Sequence, residues 1–347
     1  MTRSWCGRIA VAAVASALVS ASAPAASAAR FAASGERQAQ AKDARVVIDE
    51  AGRRVAMPAS VKRIVTLAPN LTETVYALGL GDKLAGDTDV CDTPAAAKQK
   101  PHVGNPQNPS LEAIALLHPD LVLATTSINR LETAVALERL GIPVYTSDPH
   151  TVRDMLDSIA RMSELMGAGE QGTAVVAQLR ARLDSLHARL EDRPMVHVLF
   201  VVWEQPLITI GQNTFIADAL RWAGAESVVL SDRNWPQLSL EEVVRLQPDY
   251  LVFAGDHSDG GATELADLRA RPVWRDLDAV TTGHVVDVSE EALRPSPGLV
   301  DAIEQLAHTL HPEAFAKENE IRNSKNEIQL ASGGPSENRT ECSPCAR

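Results

Sequence analysis

Short apolar runs alternate with stretches of helical periodicity along most of this chain. The runs at 46–48, 64–67, 121–124, 144–145, 196–202, 250–254 and 285–288 are rich in β-branched residues and too short for helices, so each is expected to form a strand. Asn70-Leu71-Thr72-Glu73 has the spacing of a capping box and predicts a helix running to Leu78 and stopping at Gly79. A loop is expected over 86–109, with helices over 110–117 and 130–139. Asn213 and Thr214 precede another helix ending at Gly224, and a last one covers 298–310. Strands and helices taking turns in this way predict parallel sheets.

The middle of the chain breaks the alternation. Residues 152–166 and then 171–190 carry apolar positions at helical spacing, the second run through Val175, Val176, Leu179, Leu183, Leu186 and Leu190. Twenty residues at about 1.5 Å each span about 30 Å, roughly the width of one small lobe. Such a helix is expected to act as a strut between two α/β units.

That there are two units follows from a repeat. Residues 110–123 read SLEAIALLHPDLVL and residues 239–252 read SLEEVVRLQPDYLV, 129 residues apart and without a gap. Ser110/Ser239, Leu111/Leu240, Glu112/Glu241, Leu117/Leu246, Pro119/Pro248 and Asp120/Asp249 are identical pairs. The offset is the size of a small domain. The chain therefore divides into a segment to be removed (1–28), a flexible linker (29–44), a first lobe (45–166), an interlobe helix (167–191), a second lobe (192–316) and a disordered tail (317–347). Two lobes imply a cleft, where small ligands bind.

Composition supplies the address. Arg3 and Arg8 precede an apolar run over 9–19 and an A-x-A site at 26–28, the pattern of a cleavable signal peptide. The run is too short to cross a membrane, and the expected location is the periplasm. The net charge of −12 becomes −14 once residues 1–28 are removed, which makes nucleic acid and anionic lipid poor candidates as partners. Cys91, Cys342 and Cys345 remain, too few for a disulfide scaffold.

Motifs of catalysis are missing: no G-x-S-x-G, P-loop or H-E-x-x-H is present. Asp87, Asp89 and Asp92 read as a solvated acidic loop, and His308 and His311 as polar residues at a helix end. Trp222 lies within a predicted helix and is expected in the core. Two other tryptophans stand out in a chain that is 4% aromatic. Trp203 ends a predicted strand and Trp235 sits in the loop Asn234-Trp235-Pro236-Gln237. Indoles at strand ends suit a broad, flat, partly apolar ligand, or else plug a loop. Glu112 and Glu241 fall in the first turns of the repeated helices. There they complement the helix dipole, or present matching carboxylates to a partner with two-fold character.

RIVTLAPNLTETVYALG, the loop Cys91-Asp92-Thr93-Pro94, PSLEAIALLHPDLVL, LGIPVY, the 203–211 segment, NWPQLSLEEVVRLQPD and LRPSPGLVDAIEQLA together resemble the periplasmic cobalamin-binding proteins of ABC importers. These belong to the wider family that binds ferric siderophores, haem and cobalamin. The likeness spans residues 63–315. It implies an α/β fold of two Rossmann-like lobes joined by a long rigid helix, the class III periplasmic binding protein, with a shallow cleft and little closure. It implies a monomeric carrier, not an enzyme, with cobalamin or a related corrinoid as ligand and no cofactor. Its partner would be the permease dimer of an ABC transporter, with Glu112 and Glu241 docking on permease arginines. Trp235 would lie against the corrin, and Arg294, in Arg294-Pro295-Ser296-Pro297, would meet ligand amides or phosphate beside Glu290 and Trp203. In the first lobe Asn70, Val90, Cys91, Pro106 and Thr125 fall on cleft positions. Where a cobalamin binder of this family carries two Trp and a Tyr, this chain has Pro106, Thr125 and Val90.

Haem is the first alternative ligand and would require an axial His or Tyr. Tyr145 and Tyr250 fall in strands, leaving His102 as the loop candidate. A catecholate siderophore would call on several arginines, for which Arg233 and Arg294 are available. The rival of another class is an extracytoplasmic metal-dependent enzyme using His102, His257 or the 87–92 loop.

Overall fold

The computed structural model describes residues 45–254, 265–288 and 294–316. The expected signal peptide, linker and tail lie outside the described residues, as do Glu290, His257, Cys342 and Cys345.

The described residues open with an antiparallel hairpin of β1 (Arg45–Ile48) and β2 (Arg54–Met57). Asp49 at its turn accepts from Arg53, whose guanidinium continues to Thr146 Oγ1 at 2.7 Å and fastens the hairpin to the first sheet. That sheet holds β3 (Ile64–Thr66), β4 (Leu84–Gly86), β5 (Leu121–Thr125) and β6 (Val144–Ser147), parallel throughout in the order β4-β3-β5-β6. Every residue of β3, β5 and β6 is buried, because helices cover both faces. That is why these strands read as continuous apolar runs and not as alternating ones.

Three helices serve this sheet: α1 (Pro69–Ala77), α2 (Leu111–Leu116) and α3 (Leu131–Arg139). The capping box expected at 70–73 does not form. Ala68 is the N-cap and Pro69 takes the first helical position, where its missing N–H leaves nothing unsatisfied. Residues 69–75 are all buried, so their polar atoms find partners inside the fold. Thr72 Oγ1, for instance, lies 2.6 Å from Thr66 Oγ1. The helix end is as expected: Gly79 adopts φ +71°, and Leu80 N donates to Val75 O while Gly79 N donates to Tyr76 O, closing a Schellman motif.

Two packed helices follow, α4 (Val152–Leu165) and α5 (Gly169–Leu190). Thr151 and Asp154 form a capping box at the start of α4. Gly172 of α5 passes so close to α4 that a Cβ there would overlap the Ser163 side chain. The 22 residues of α5 span about 33 Å at about 1.5 Å per residue. Leu179, Leu183, Leu186 and Leu190 are its buried stripe. They join one apolar cluster containing Leu121 of the first sheet and Val252 of the second. The helix therefore shares core with both lobes, which is what makes it a stiff connection.

The second lobe holds β7 (Val196–Glu204), β8 (Leu207–Thr209), α6 (Phe215–Trp222), β9 (Ala225–Ser227), α7 (Leu240–Leu246), β10 (Tyr250–Ala254), α8 (Leu265–Ala270), α9 (Asp278–Thr282), β11 (Val285–Val288) and α10 (Leu299–Leu310). β9 and β10 flank β7, and β11 pairs with β10, all parallel, which repeats the strand order of the first lobe. Register repeats as well: Ile64 pairs with Leu121, and Val198 with Tyr250. β8 is an addition, antiparallel to the carboxyl half of β7. The fold is thus two Rossmann-like α/β lobes joined by a long helix.

Candidate functional site

Parallel strands bring their carboxyl ends to one edge of a sheet, where open α/β folds bind ligands. Asn70 lies just beyond β3, Val90 and Cys91 follow β4, and Thr125 ends β5, while Trp203 lies near the end of β7. The helices α2 and α7 each run into the strand that follows them. Their N-termini therefore lie toward the same carboxyl edges and carry Glu112 and Glu241, both exposed, behind the caps Ser110 and Ser239.

The first-lobe candidates are tied together by a residue that the sequence reading passed over. Asn129 donates from Nδ2 to Leu67 O at 2.8 Å and to Pro106 O at 2.9 Å, and its Oδ1 accepts Thr125 N at 2.8 Å. One amide thus ties the ends of β3 and β5 to the 106 loop. It brings together the surroundings of Asn70, Pro106 and Thr125, all three themselves buried. An Asn just ahead of a helix looks like ordinary loop chemistry, and only the fold delivers its three partners.

Val90 is exposed, whereas Cys91 is buried and its Sγ lies 3.2 Å from both Thr72 Oγ1 and Thr88 Oγ1. Burial pushes the Cys91 thiol up, against the hydrogen bonds from Thr72 and Thr88, so the group stays a thiol behind the wall. The neighbouring loop is only in part the solvated acidic loop expected. Asp89 and Asp92 are exposed, but Asp87 is buried with Oδ1 2.7 Å from His102 Nδ1 and, among the described residues, no hydrogen-bond partner for Oδ2. Burial pushes the Asp87 carboxyl up to about 6, even with His102 pulling it down. His102 is therefore committed to Asp87 by one ring nitrogen.

In the second lobe β8 is what connects the two tryptophans. It pairs with β7 on one side, Trp203 opposite Ile208, and on the other takes up the 234–238 segment through Ile208 and Gln237. Thr209 N donates to Pro236 O at 3.1 Å and Gly211 N to Asn234 O at 2.9 Å. A Cβ at Gly211 would overlap the Arg233 carbonyl oxygen, so only glycine lets the Trp235 loop lie this close. Trp203 and Trp235 stand 52% and 54% exposed on this lip, large apolar surfaces with little covering them. Trp222 is elsewhere: half-buried on α6, packed against the core as expected, and edge-on to His187 with 6.1 Å between ring centroids. His311 stands at the end of α10 as expected, and it is buried there with Nε2 3.0 Å from Gly224 O.

Arg294 is mostly buried and reaches across to the first lobe, its Nη1 3.4 Å from Glu73 Oε1. Among the described residues no group of three or more His, Cys, Asp or Glu side chains is placed to hold a metal ion. No helix among them is long and apolar enough to cross a membrane.

Two topologically matched parallel sheets, a single long helix sharing core with both, and candidate residues along the carboxyl edges define a class III periplasmic binding protein. The chain belongs to the periplasmic binding protein family, whose profile matches residues 64–292. A vitamin B12-binding protein of Vibrio campbellii is 31% identical over 248 residues, 71% of this chain and 88% of that one. The structure of the periplasmic vitamin B12 binding protein of Vibrio cholerae matches with a TM-score of 0.63 at 28% identity, over 72% of this chain and 96% of that one. A periplasmic heme binding protein from Pseudomonas aeruginosa matches with a TM-score of 0.65 at 26% identity, over 73% and 93% of the two chains.

Proposed function

We propose that this protein captures cobalamin or a closely related corrinoid in the periplasm and delivers it to an ABC-type importer of the inner membrane. The observation that carries the ligand is the lip of lobe two, where Trp203 and Trp235 offer two exposed indoles to a broad flat ligand. The similarity to vitamin B12-binding proteins supports the same reading. Opposite it, Asn70, Val90, Pro106 and Thr125 would form the less aromatic wall, with Cys91 behind them and Arg294 supplying N–H donors at the rim.

Delivery would use Glu112 and Glu241. They are equivalent residues of the repeat, both exposed at helix N-termini on the carboxyl edges, and a dimeric permease could grip both at once. The pattern of a cleavable signal at 1–28 agrees with work outside the cytoplasm.

Haem is the second reading, favoured by the likeness to a heme binding protein. Against it, Tyr145 is buried, Tyr76 and Tyr250 are half-buried, and His102 is engaged by Asp87. Calorimetric titration of the mature protein with cyanocobalamin, hemin and a ferric siderophore tests the choice. One-to-one binding of cyanocobalamin is the expected result. A response to hemin or siderophore alone would keep the carrier and replace its ligand.

A further inference from the structure

Glu73 and Arg294 are 221 residues apart and belong to different lobes, yet they form an ion pair with N and O 3.4 Å apart. The Glu73 side chain is 6% exposed and that of Arg294 20%. Glu73 lies in the stretch of α1 whose residues are all buried, so its carboxylate depends on a buried cation or on hydrogen bonds for its charge. A second polar contact joins the lobes at the start of α4, where Val152 N donates to Asp218 Oδ2 of α6 at 2.8 Å. The long helix joins the lobes through shared core, and these polar contacts tie them together at two further points.

We propose that Glu73 is a positioning residue of the ligand site: it orients the Arg294 guanidinium and pins the second lobe to the first. The proposal rests on the capture reading and deepens it. A guanidinium is planar with its N–H donors in a fixed fork, so a bond from Nη1 to Glu73 helps to set the plane of the whole group. Fixing its plane before the ligand arrives removes the ordering that a loose arginine would undergo on binding. Pinning the lobes at the same point keeps the cleft near one opening, so capture requires little closure. In this arrangement the residue that meets the ligand is also the residue that sets the distance between the walls.

The test uses Glu73→Gln, Arg294→Gln and the two combined, in the full mature chain. Amide hydrogen exchange in α1 and α10 is followed without ligand, and cyanocobalamin affinity is measured by calorimetry. Each single variant is expected to speed exchange in α1 and to raise Kd by about tenfold, with the double variant no worse than either single. Arg294→Lys, which keeps the charge and loses the fork, is expected to restore slow exchange without restoring affinity. Additive losses in the double variant, or wild-type exchange and affinity in Glu73→Gln, would overturn the proposal. Should Glu73→Gln fail to fold, Arg294→Gln against Arg294→Lys carries the same contrast. Coupled exchange in a protein that ignores cyanocobalamin would keep the pin and refute the capture reading. Tight cyanocobalamin binding with uncoupled exchange would do the reverse.

Discussion

Asp120 and Asp249 hold the same place in the two lobes. Each donates its backbone N–H, at 2.8 Å, to the carbonyl of the central strand's edge, Arg63 in one lobe and His197 in the other. Each then accepts in return through Oδ2: Asp120 from Lys62 N and Arg63 N at 2.8 and 2.9 Å, Asp249 from His197 N at 2.9 Å. The two preceding helices end alike, His118 at φ 46° and Gln247 at φ 41°, left-handed positions filled without glycine. The repeat is therefore a joint: capped helix, left-handed turn, proline, then an aspartate that locks a new strand to the sheet centre.

Removing the carboxylate should cost more in lobe one, where it accepts two backbone N–H groups, than in lobe two, where it accepts one and otherwise faces the exposed His197 ring, Nδ1 3.3 Å away. Asp120→Ala is expected to lower unfolding free energy by about 1–3 kcal/mol. Asp249→Ala should fall at or below the low end of that range, since its side chain is 55% exposed. Denaturant midpoints of the two variants, at unchanged m-value, check the order. Equal losses would mean that the His197 ring contact at Asp249 matches the second backbone bond at Asp120.

The lip of lobe two should separate stability from binding. Trp235 is 54% exposed, so Trp235→Ala should leave the melting temperature within a few degrees of wild type and weaken corrinoid binding by about 1–3 kcal/mol. Gly211→Ala acts at a distance, pushing the Arg233 carbonyl and displacing the Trp235 loop. It should weaken binding and also soften the lobe, seen as faster hydrogen exchange over 231–238. A Trp235→Ala protein with wild-type affinity would remove this indole from the ligand site.

Docking through the repeated helices predicts a different split. Glu112→Arg with Glu241→Arg should abolish ligand uptake into cells or permease-bearing vesicles while affinity in solution stays at the wild-type value. Each single reversal should give a partial defect, because one matched contact remains. Both carboxylates are exposed, so the pair is expected to govern orientation and encounter more than binding strength. Loss of affinity in the double variant would reassign these residues to the cleft or to folding.

What the sequence made legible and what it hid divide along physical lines. Strands buried on both faces leave unbroken apolar runs, so 64–66, 121–125 and 250–254 were readable. Gly79 announced the end of α1 because few other residues take its backbone conformation. The start of α1 misled because Asn70, Thr72 and Glu73 have capping chemistry, and nothing local says that they are buried. β8 is three residues beside Pro206, below any periodic signal, yet it links Trp203 to Trp235. Asn129 was invisible for a related reason: two of the backbone groups it joins come from 62 and 23 residues away. Residue type and local spacing showed which positions carry chemistry, and long-range contacts decided what each one does.

Asp87 makes stability depend on pH in a direction opposite to most carboxylates. Its folded value is raised to about 6, while an unfolded aspartate titrates near ~3.9. Below about pH 4 the group is protonated in both states, and its contribution to stability is fully present. Between about 4 and 6 the unfolded chain gives up the proton while the folded protein retains it, so stability falls as pH rises. Above that window the loss is complete, at most about 3 kcal/mol for a shift of roughly two units. Asp87→Asn lacks the titrating proton and should not share the slope. The difference in unfolding free energy between wild type and Asp87→Asn, from denaturant titrations at pH 4, 5, 6 and 7, is therefore expected to move against wild type as pH rises, other groups cancelling. A flat difference would mean that His102, 2.7 Å from the carboxylate, fully offsets its burial.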